Sequence, residues 1–236
     1  MKYNDGSSFQ GELKDGKREG YGVQIWPDGT RYSVGRLALT VQGNWVDDKA
    51  EGEGQLVHAS GYVASGTWKD NDLTGRGILI GRTGSRYEGD FLKSRKEGIG
   101  EELYINGTSY RGRYKDDVYH GKGCFKWPDE GEYEGDWKEG KMDGYGVYRS
   151  GSSGKCYKGC YRNNLYDGYG ELQFPDTSSY SGQFRSGKRE GRGTMRYKDG
   201  REYEGMWKND IEEGEGCLKD SRGNVLAKGI FKNGKI

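Results

Sequence analysis

Long apolar runs are missing from this sequence: no stretch approaches the roughly 18 consecutive residues of a membrane-crossing helix. Hydrophobic residues make up 31% of the chain against 32% charged, so only a modest core can be buried. An excess of one charge is missing too. Lys+Arg 38 against Asp+Glu 37 leaves a formal net charge of +1. That balance removes the electrostatic footprint of a nucleic-acid binder and weakens the case for a polybasic membrane anchor. Four cysteines in so long a chain do not make a disulfide framework, and no signal peptide opens it. The expectation is a soluble, cytoplasmic protein. Histidine is down to two residues, His58 and His120. A serine or cysteine hydrolase needs a histidine beside its nucleophile, so neither catalysis nor a cofactor is expected.

What the chain has instead is 44 glycines, 19 tyrosines and 6 tryptophans, and they recur at a fixed interval. Aligned on Gly135 of Tyr133-Glu134-Gly135-Asp136-Trp137, equivalent anchor glycines stand at 11, 43, 66, 89, 112, 159, 182, 205 and 229. From Gly43 onward the step is 23 or 24 residues, and the first step of 32 contains a nine-residue insertion near 30–42. Nine residues after every anchor but the last comes a Gly-x-Gly. Such a period marks a solenoid or array: nine repeats and a partial tenth over 1–236, read as one continuous domain.

Within a repeat the period is two. Tyr133, Gly135 and Trp137 share one strand face while Glu134 and Asp136 share the other. A second alternating strand follows the Gly-x-Gly, as at Phe125 and Trp127. Each repeat therefore reads as a β-hairpin with its glycines and aromatics on one face. Glycine in a strand marks close approach to the backbone, most simply by a neighbouring ring. Asp28-Gly29, Asn106-Gly107 and Asp199-Gly200 fall where one repeat turns into the next, and Pro27, Pro128 and Pro175 occupy that same turn. A phosphate-cradling Gly-x-Gly needs a strand-to-helix turn, and no helix-period segment is visible.

The pattern Tyr-x-Gly-x-aromatic followed by Gly-x-Gly resembles the MORN repeat (membrane occupation and recognition nexus). Leu13, Val41, Ala64 and Ala227 depart from its aromatic columns. The resemblance implies an all-β fold: an elongated, twisted, single-layer antiparallel sheet of consecutive hairpins, a MORN repeat solenoid with an aromatic-lined groove. With strands about 4.8 Å apart, nine to ten repeats span roughly 90 Å. It also implies a non-enzymatic scaffold that self-associates and binds protein or peptide partners at a cytoskeletal or membrane-adjacent structure. The alternatives are a regulatory MORN module of a larger enzyme or exchange factor, and a direct phosphoinositide-binding module.

On this reading the groove is lined by Tyr87, Tyr110, Tyr133, Trp137, Tyr157, Tyr161, Tyr180, Phe184, Tyr203 and Trp207. A homodimer forms through a terminal sheet edge carrying Tyr203, Trp207 and Phe231. Lys17, Arg18, Lys188 and Arg189 are the candidate phospholipid contacts, although no continuous basic stripe is evident. His58 falls in a column of packing rings, and His120 in a column of acids that includes Glu97, Asp143, Asp167 and Glu190. Cys156 and Cys160, four apart on one strand, lie roughly 13 Å apart, too far for a disulfide. No intrachain metal site emerges, which leaves Cys124, Cys156, Cys160 and Cys217 to an intermolecular one.

Overall fold

The computed structural model describes residues 1–34 and 43–236. The chain divides into two units, Met1–Val118 and Tyr119–Ile236. Among the described residues there is no helix, and every strand pairing is antiparallel. The first unit holds β1 (Ser8–Lys14), β2 (Lys17–Ile25), β3 (Arg31–Val34), β4 (Gly43–Val46), β5 (Lys49–Val57), β6 (Val63–Lys69), β7 (Asp72–Ile80), β8 (Arg86–Leu92), β9 (Arg95–Leu103) and β10 (Ser109–Lys115). From the boundary onward come β11 (Val118–Lys126), β12 (Glu132–Lys138), β13 (Lys141–Arg149), β14 (Cys156–Arg162), β15 (Leu165–Gln173), β16 (Ser179–Arg185), β17 (Lys188–Arg196), β18 (Glu202–Lys208), β19 (Ile211–Lys219) and β20 (Val225–Phe231).

Glycine fixes the register. In the second unit Gly123, Gly135, Gly146, Gly159 and Gly170 lie opposite one another from strand to strand, and the row continues to Gly229. A Cβ on Gly146 would fall 2.5 Å from the Tyr133 ring, so the bare backbone is what lets the ring lie flat across two strands. The sequence predicts this close approach. It assigns the same cause to both glycines of each Gly-x-Gly, however, and the structure separates them. Gly144, the first of its pair, has φ +113°, and Gly75 has φ +63°. These glycines sit in a recurring bulge. Between Gly135 and Trp137 one strand has a single residue, Asp136, where its partner has Asp143, Gly144 and Tyr145. Only the second glycine of each pair lies beneath a ring.

The two strands of a repeat join through a two-residue turn with both central residues at positive φ, as at Asp70 (52°) and Asn71 (72°). That geometry is type I′, which matches the twist of a hairpin. Each turn after the first also ties to the repeat before it. The Asn71 N–H donates to the Ala50 carbonyl at 3.2 Å, and the Asn71 Oδ1 accepts from the Ala50 N–H at 2.8 Å. Gly29, Gly107 and Gly200, at φ +84°, +86° and +85°, close the turns between repeats, where the sequence places them.

The insertion falls inside a strand. β3 and β4 both pair with β5, with Tyr32 opposite Leu56 and Trp45 opposite Ala50, so together they make one interrupted first strand. Tyr32, 3% exposed, fills the first aromatic column of this repeat. That corrects the alignment that put Val41 there; Val41 lies outside the described residues.

Candidate functional site

The two aromatic columns named from the sequence form a buried layer. All ten candidate groove rings are between 0% and 6% exposed. Tyr133 meets Trp137 edge-on at 5.2 Å within its repeat and Tyr161 at 5.1 Å in the next. Tyr180–Phe184 and Tyr180–Trp207 repeat the arrangement at 5.1 and 5.3 Å. T-shaped packing suits the quadrupoles of the rings. The tryptophans are also satisfied: Trp207 Nε1–H donates to the Gly193 carbonyl at 3.2 Å. The expectation that these side chains line an open groove is corrected. A second tier of side chains lies above them.

That tier comes from the second strand of each repeat, seven, thirteen and fifteen residues after the anchor. The last two alternate with the second glycine and so share the face of the rings. In the second unit the tier includes Phe125 and Trp127, Tyr148, and Leu172 and Phe174, with Tyr166 stacked 3.6 Å over Tyr157. Phe125 and Trp127 are 4.7 Å apart, and Trp127 meets Tyr148 edge-on at 5.6 Å. Trp127, Tyr148, Phe174 and Tyr197 are only half-buried. The sequence shows one of these columns, as the packing rings grouped with His58, without showing that it forms the accessible face.

A cavity of about 650 Å³ opens on this face between Phe174, Pro175, Met195, Tyr197, Arg189 and Glu212. Tyr197 hydroxyl donates to Glu212 Oε1, and burial together with that carboxylate pushes the Tyr197 phenol well above its usual range. Arg189 lies 4.2 Å over the Trp207 ring while its Nε donates to Asp210 Oδ1 at 3.1 Å. The first unit repeats this device. Arg18 lies 4.2 Å over Trp45 and donates to Asp48 Oδ1 at 3.1 Å, beside a cavity of about 710 Å³ bounded by Trp26, Thr30 and Gln24. Further along, Lys96 Nζ and Glu102 Oε1 form an ion pair at 2.5 Å with both side chains largely buried. The Tyr114 hydroxyl donates to the other oxygen of Glu102 at 3.1 Å.

The four candidate lipid-binding cations all have partners. Lys17 pairs with Asp47 at 2.9 Å, Arg18 and Arg189 are held as described, and Lys188 Nζ donates to Asn209 Oδ1 at 3.4 Å. Tyr203, Trp207 and Phe231, proposed for the self-association edge, belong to the buried layer, with Tyr203–Phe231 at 5.0 Å. His58 stacks on Tyr62 at 4.7 Å with Nδ1 2.8 Å from Ser60 Oγ. The acid column that includes His120 has a structural task. Glu97, Asp143, Asp167 and Glu190 each accept the backbone N–H of the next turn. All four cysteines are free and half-buried. Burial and the nearby Glu132 push the Cys124 thiol up to about 11. Among the described residues no group of three or more His, Cys, Asp or Glu side chains converges as a metal site would.

The profile of the MORN repeat matches residues 9–31, 42–61, 65–86, 87–109, 110–132, 133–155, 157–179, 180–200 and 203–225. Alsin of Rattus norvegicus and Alsin of Homo sapiens are each 33% identical to this chain over 83 residues, 34% of the chain and 4% of the relative. The match thus spans a small part of those relatives' length. Among solved structures, the TCP10 domain of Danio rerio CPAP in complex with a STIL peptide is 14% identical, with a TM-score of 0.36 over 95% of this chain and 99% of that one. The SAS-4 TCP domain of Drosophila melanogaster, in complex with a proline-rich motif of Ana2, is 14% identical, with a TM-score of 0.32 over 84% and 99%.

Proposed function

Because the chain belongs to the MORN repeat family, we propose that it is a non-enzymatic scaffold whose half-exposed ring face takes a protein or peptide segment. One observation carries this reading: Trp127, Tyr148, Phe174 and Tyr197 stay partly open on a floor of buried rings. A rigid floor lowers the entropy lost when a partner docks, and exposed aromatics supply contact area with few rotatable bonds. Grooves of this kind suit an extended segment or an amphipathic helix. Self-association through β20, supported from beneath by Tyr203 and Phe231, and placement at a cytoskeletal or membrane-adjacent structure belong to the same proposal.

Peptides selected by phage display on the whole chain test it. Affinity is then compared for Phe174→Ser and Tyr197→Ser against Tyr145→Ser, which alters an exposed ring on the opposite face. Loss at the first two alone supports the proposal; equal affinity in all three removes the face from the site. Molar mass by light scattering across concentrations tests the self-association, which a concentration-independent monomer excludes. A second reading, a regulatory module within a longer protein, is favoured by the 4% of each Alsin relative that the match covers. Full-length transcript sequencing of the source gene decides between the two.

A further inference from the structure

The turns inside the repeats form one edge of the sheet in each unit, and the two edges differ in charge. Turns at 14–17, 46–49, 69–72, 92–95 and 115–118 carry seven cations and seven acids. Turns at 138–141, 162–165, 185–188, 208–211 and 232–235 carry eight cations and two acids. The near-neutral chain therefore does hold a basic row. It escapes a linear reading because its members recur only once per repeat.

Most of the difference arises at one position. In the first unit Asp47, Asp70 and Asp116, each the first central residue of its turn, take Lys17, Lys49 and Arg95 of the preceding turn at 2.9, 2.6 and 3.0 Å. In the second unit that position keeps one acid, Glu139, and otherwise holds Asn163, Ser186, Asn209 and Asn233. Backbone geometry does not demand the exchange: Asn163 has φ 48° and Asp47 has φ 46°. The acids one step inside the edge do not account for it either. Asp143 and Glu190 bind the next turn's N–H, as Glu51 and Glu97 do in the first unit. What the exchange does is leave like charges one repeat apart, about a Debye length at physiological salt.

We infer that this edge docks an acidic, extended protein segment, at a surface separate from the ring face. Two strands per repeat place successive turns about 9.6 Å apart, which three residues of extended chain span at about 3.3 Å each. A carboxylate at every third residue thus meets one turn each. Exposed Leu165 and Ile211 add apolar footing beside the cations. A flat bilayer fits the row less well, because the twist of a sheet carries successive turn tips out of any one plane. Single-stranded nucleic acid wants aromatic stacking platforms, and these five turns contain no aromatic residue.

The test uses the whole chain and a labelled peptide of four Glu-Ser-Gly triplets, followed by fluorescence anisotropy at low and moderate salt. Charge reversal at Arg185, Lys188 and Lys208 (each →Glu) should weaken binding about tenfold, and more peptide should dissociate as salt rises. The matched reversal of Lys14, Lys69 and Lys115 in the first unit should change it less than about twofold. Phe174→Ser should leave it unchanged, which separates this surface from the ring face. A →Gln series at Arg185, Lys188 and Lys208 replaces the reversals if melting shows that they do not fold. Equal loss in both units overturns the inference, as does absence of peptide binding. It also fails if phosphatidylserine vesicles or a uridine 12-mer bind more tightly than the peptide and lose affinity with the same three reversals.

Discussion

The Tyr133 hydroxyl donates to the carbonyl of Asp136, three residues along the same strand, at 3.0 Å, while its ring covers Gly135 and Gly146. The same bond joins Tyr87 to Asp90, Tyr157 to Cys160, Tyr180 to Gln183 and Tyr203 to Met206, each at 3.0 Å. The carbonyl belongs to the residue that faces the bulge, so the hydroxyl serves a backbone group at the point where the ladder is interrupted. This explains why the first column is mostly tyrosine rather than phenylalanine.

Tyr133→Phe should cost about 1 kcal/mol, because a part-buried carbonyl loses its partner. The same change at Tyr161, in the next repeat, should have the opposite sign. Tyr161 is buried with no partner for its hydroxyl, and phenylalanine stands in its column at Phe91, Phe184 and Phe231. Tyr161→Phe should stabilise by about 1 kcal/mol. Urea denaturation followed by circular dichroism measures both, and shifts of the same sign would refute the assignment of the two hydroxyls.

The two glycines of a Gly-x-Gly should also respond differently. Gly75 has φ +63° with open space where a Cβ would stand, a conformation that asparagine tolerates. At Gly77 a Cβ would lie 2.9 Å from the Ser65 carbonyl and 3.1 Å from the Phe91 ring. Gly75→Asn should cost about 1 kcal/mol or less, and Gly77→Asn about 3 kcal/mol. Thermal melts of the two variants give the order, and similar losses would mean that the bulge and the ring contact are not separate constraints.

The hairpins, the repeat boundaries and the ring columns were legible because each follows from a period: two within a strand, 23 between repeats. Tyr32 was not, since an insertion between it and Gly43 breaks the spacing that alignment relies on while leaving the pairing with β5 intact. The accessible face was misplaced for a related reason. Alternation assigns Tyr133, Trp137 and Phe125 to the same side of the sheet, but it carries no information on height above it. Burial of the first two under the half-exposed Phe125 and Trp127 is a three-dimensional fact. The acid column read from the sequence had no explanation until Asp143 was seen to accept the Asn163 N–H of the next repeat at 3.1 Å.

Lys96 and Glu102 place an ion pair where other repeats set Tyr166 and Leu172. Lys96→Met should destabilise by about 2 kcal/mol, because it leaves a buried carboxylate held only by Tyr114. Adding Glu102→Leu should recover most of the loss, since the pair then becomes apolar like its neighbours. A double-mutant cycle in urea checks this. If the double variant is no more stable than Lys96→Met, the ion pair is required by its surroundings and is no mere substitute for apolar packing.

High pH should unfold the ring layer as one event. Burial pushes the phenols of Tyr166, Tyr180 and Tyr203 up to about 12, and those of Tyr87, Tyr133 and Tyr157 further still. A free tyrosine ionises near 10. The folded values are raised, so the fold favours the neutral phenol, and this contribution is complete below pH 10. It is withdrawn as pH rises from 10 through 12, at about 1.4 kcal/mol per residue per pH unit. Cys124, pushed up to about 11, acts in the same direction from about pH 9 upward. Phenolate absorbance at 295 nm and the far-ultraviolet dichroism of the strands should therefore change together within that window. Ionisation of the buried tyrosines near pH 10 with the strand signal intact would mean that water reaches the layer without unfolding it, and that the rings are not the sealed floor on which the open face depends.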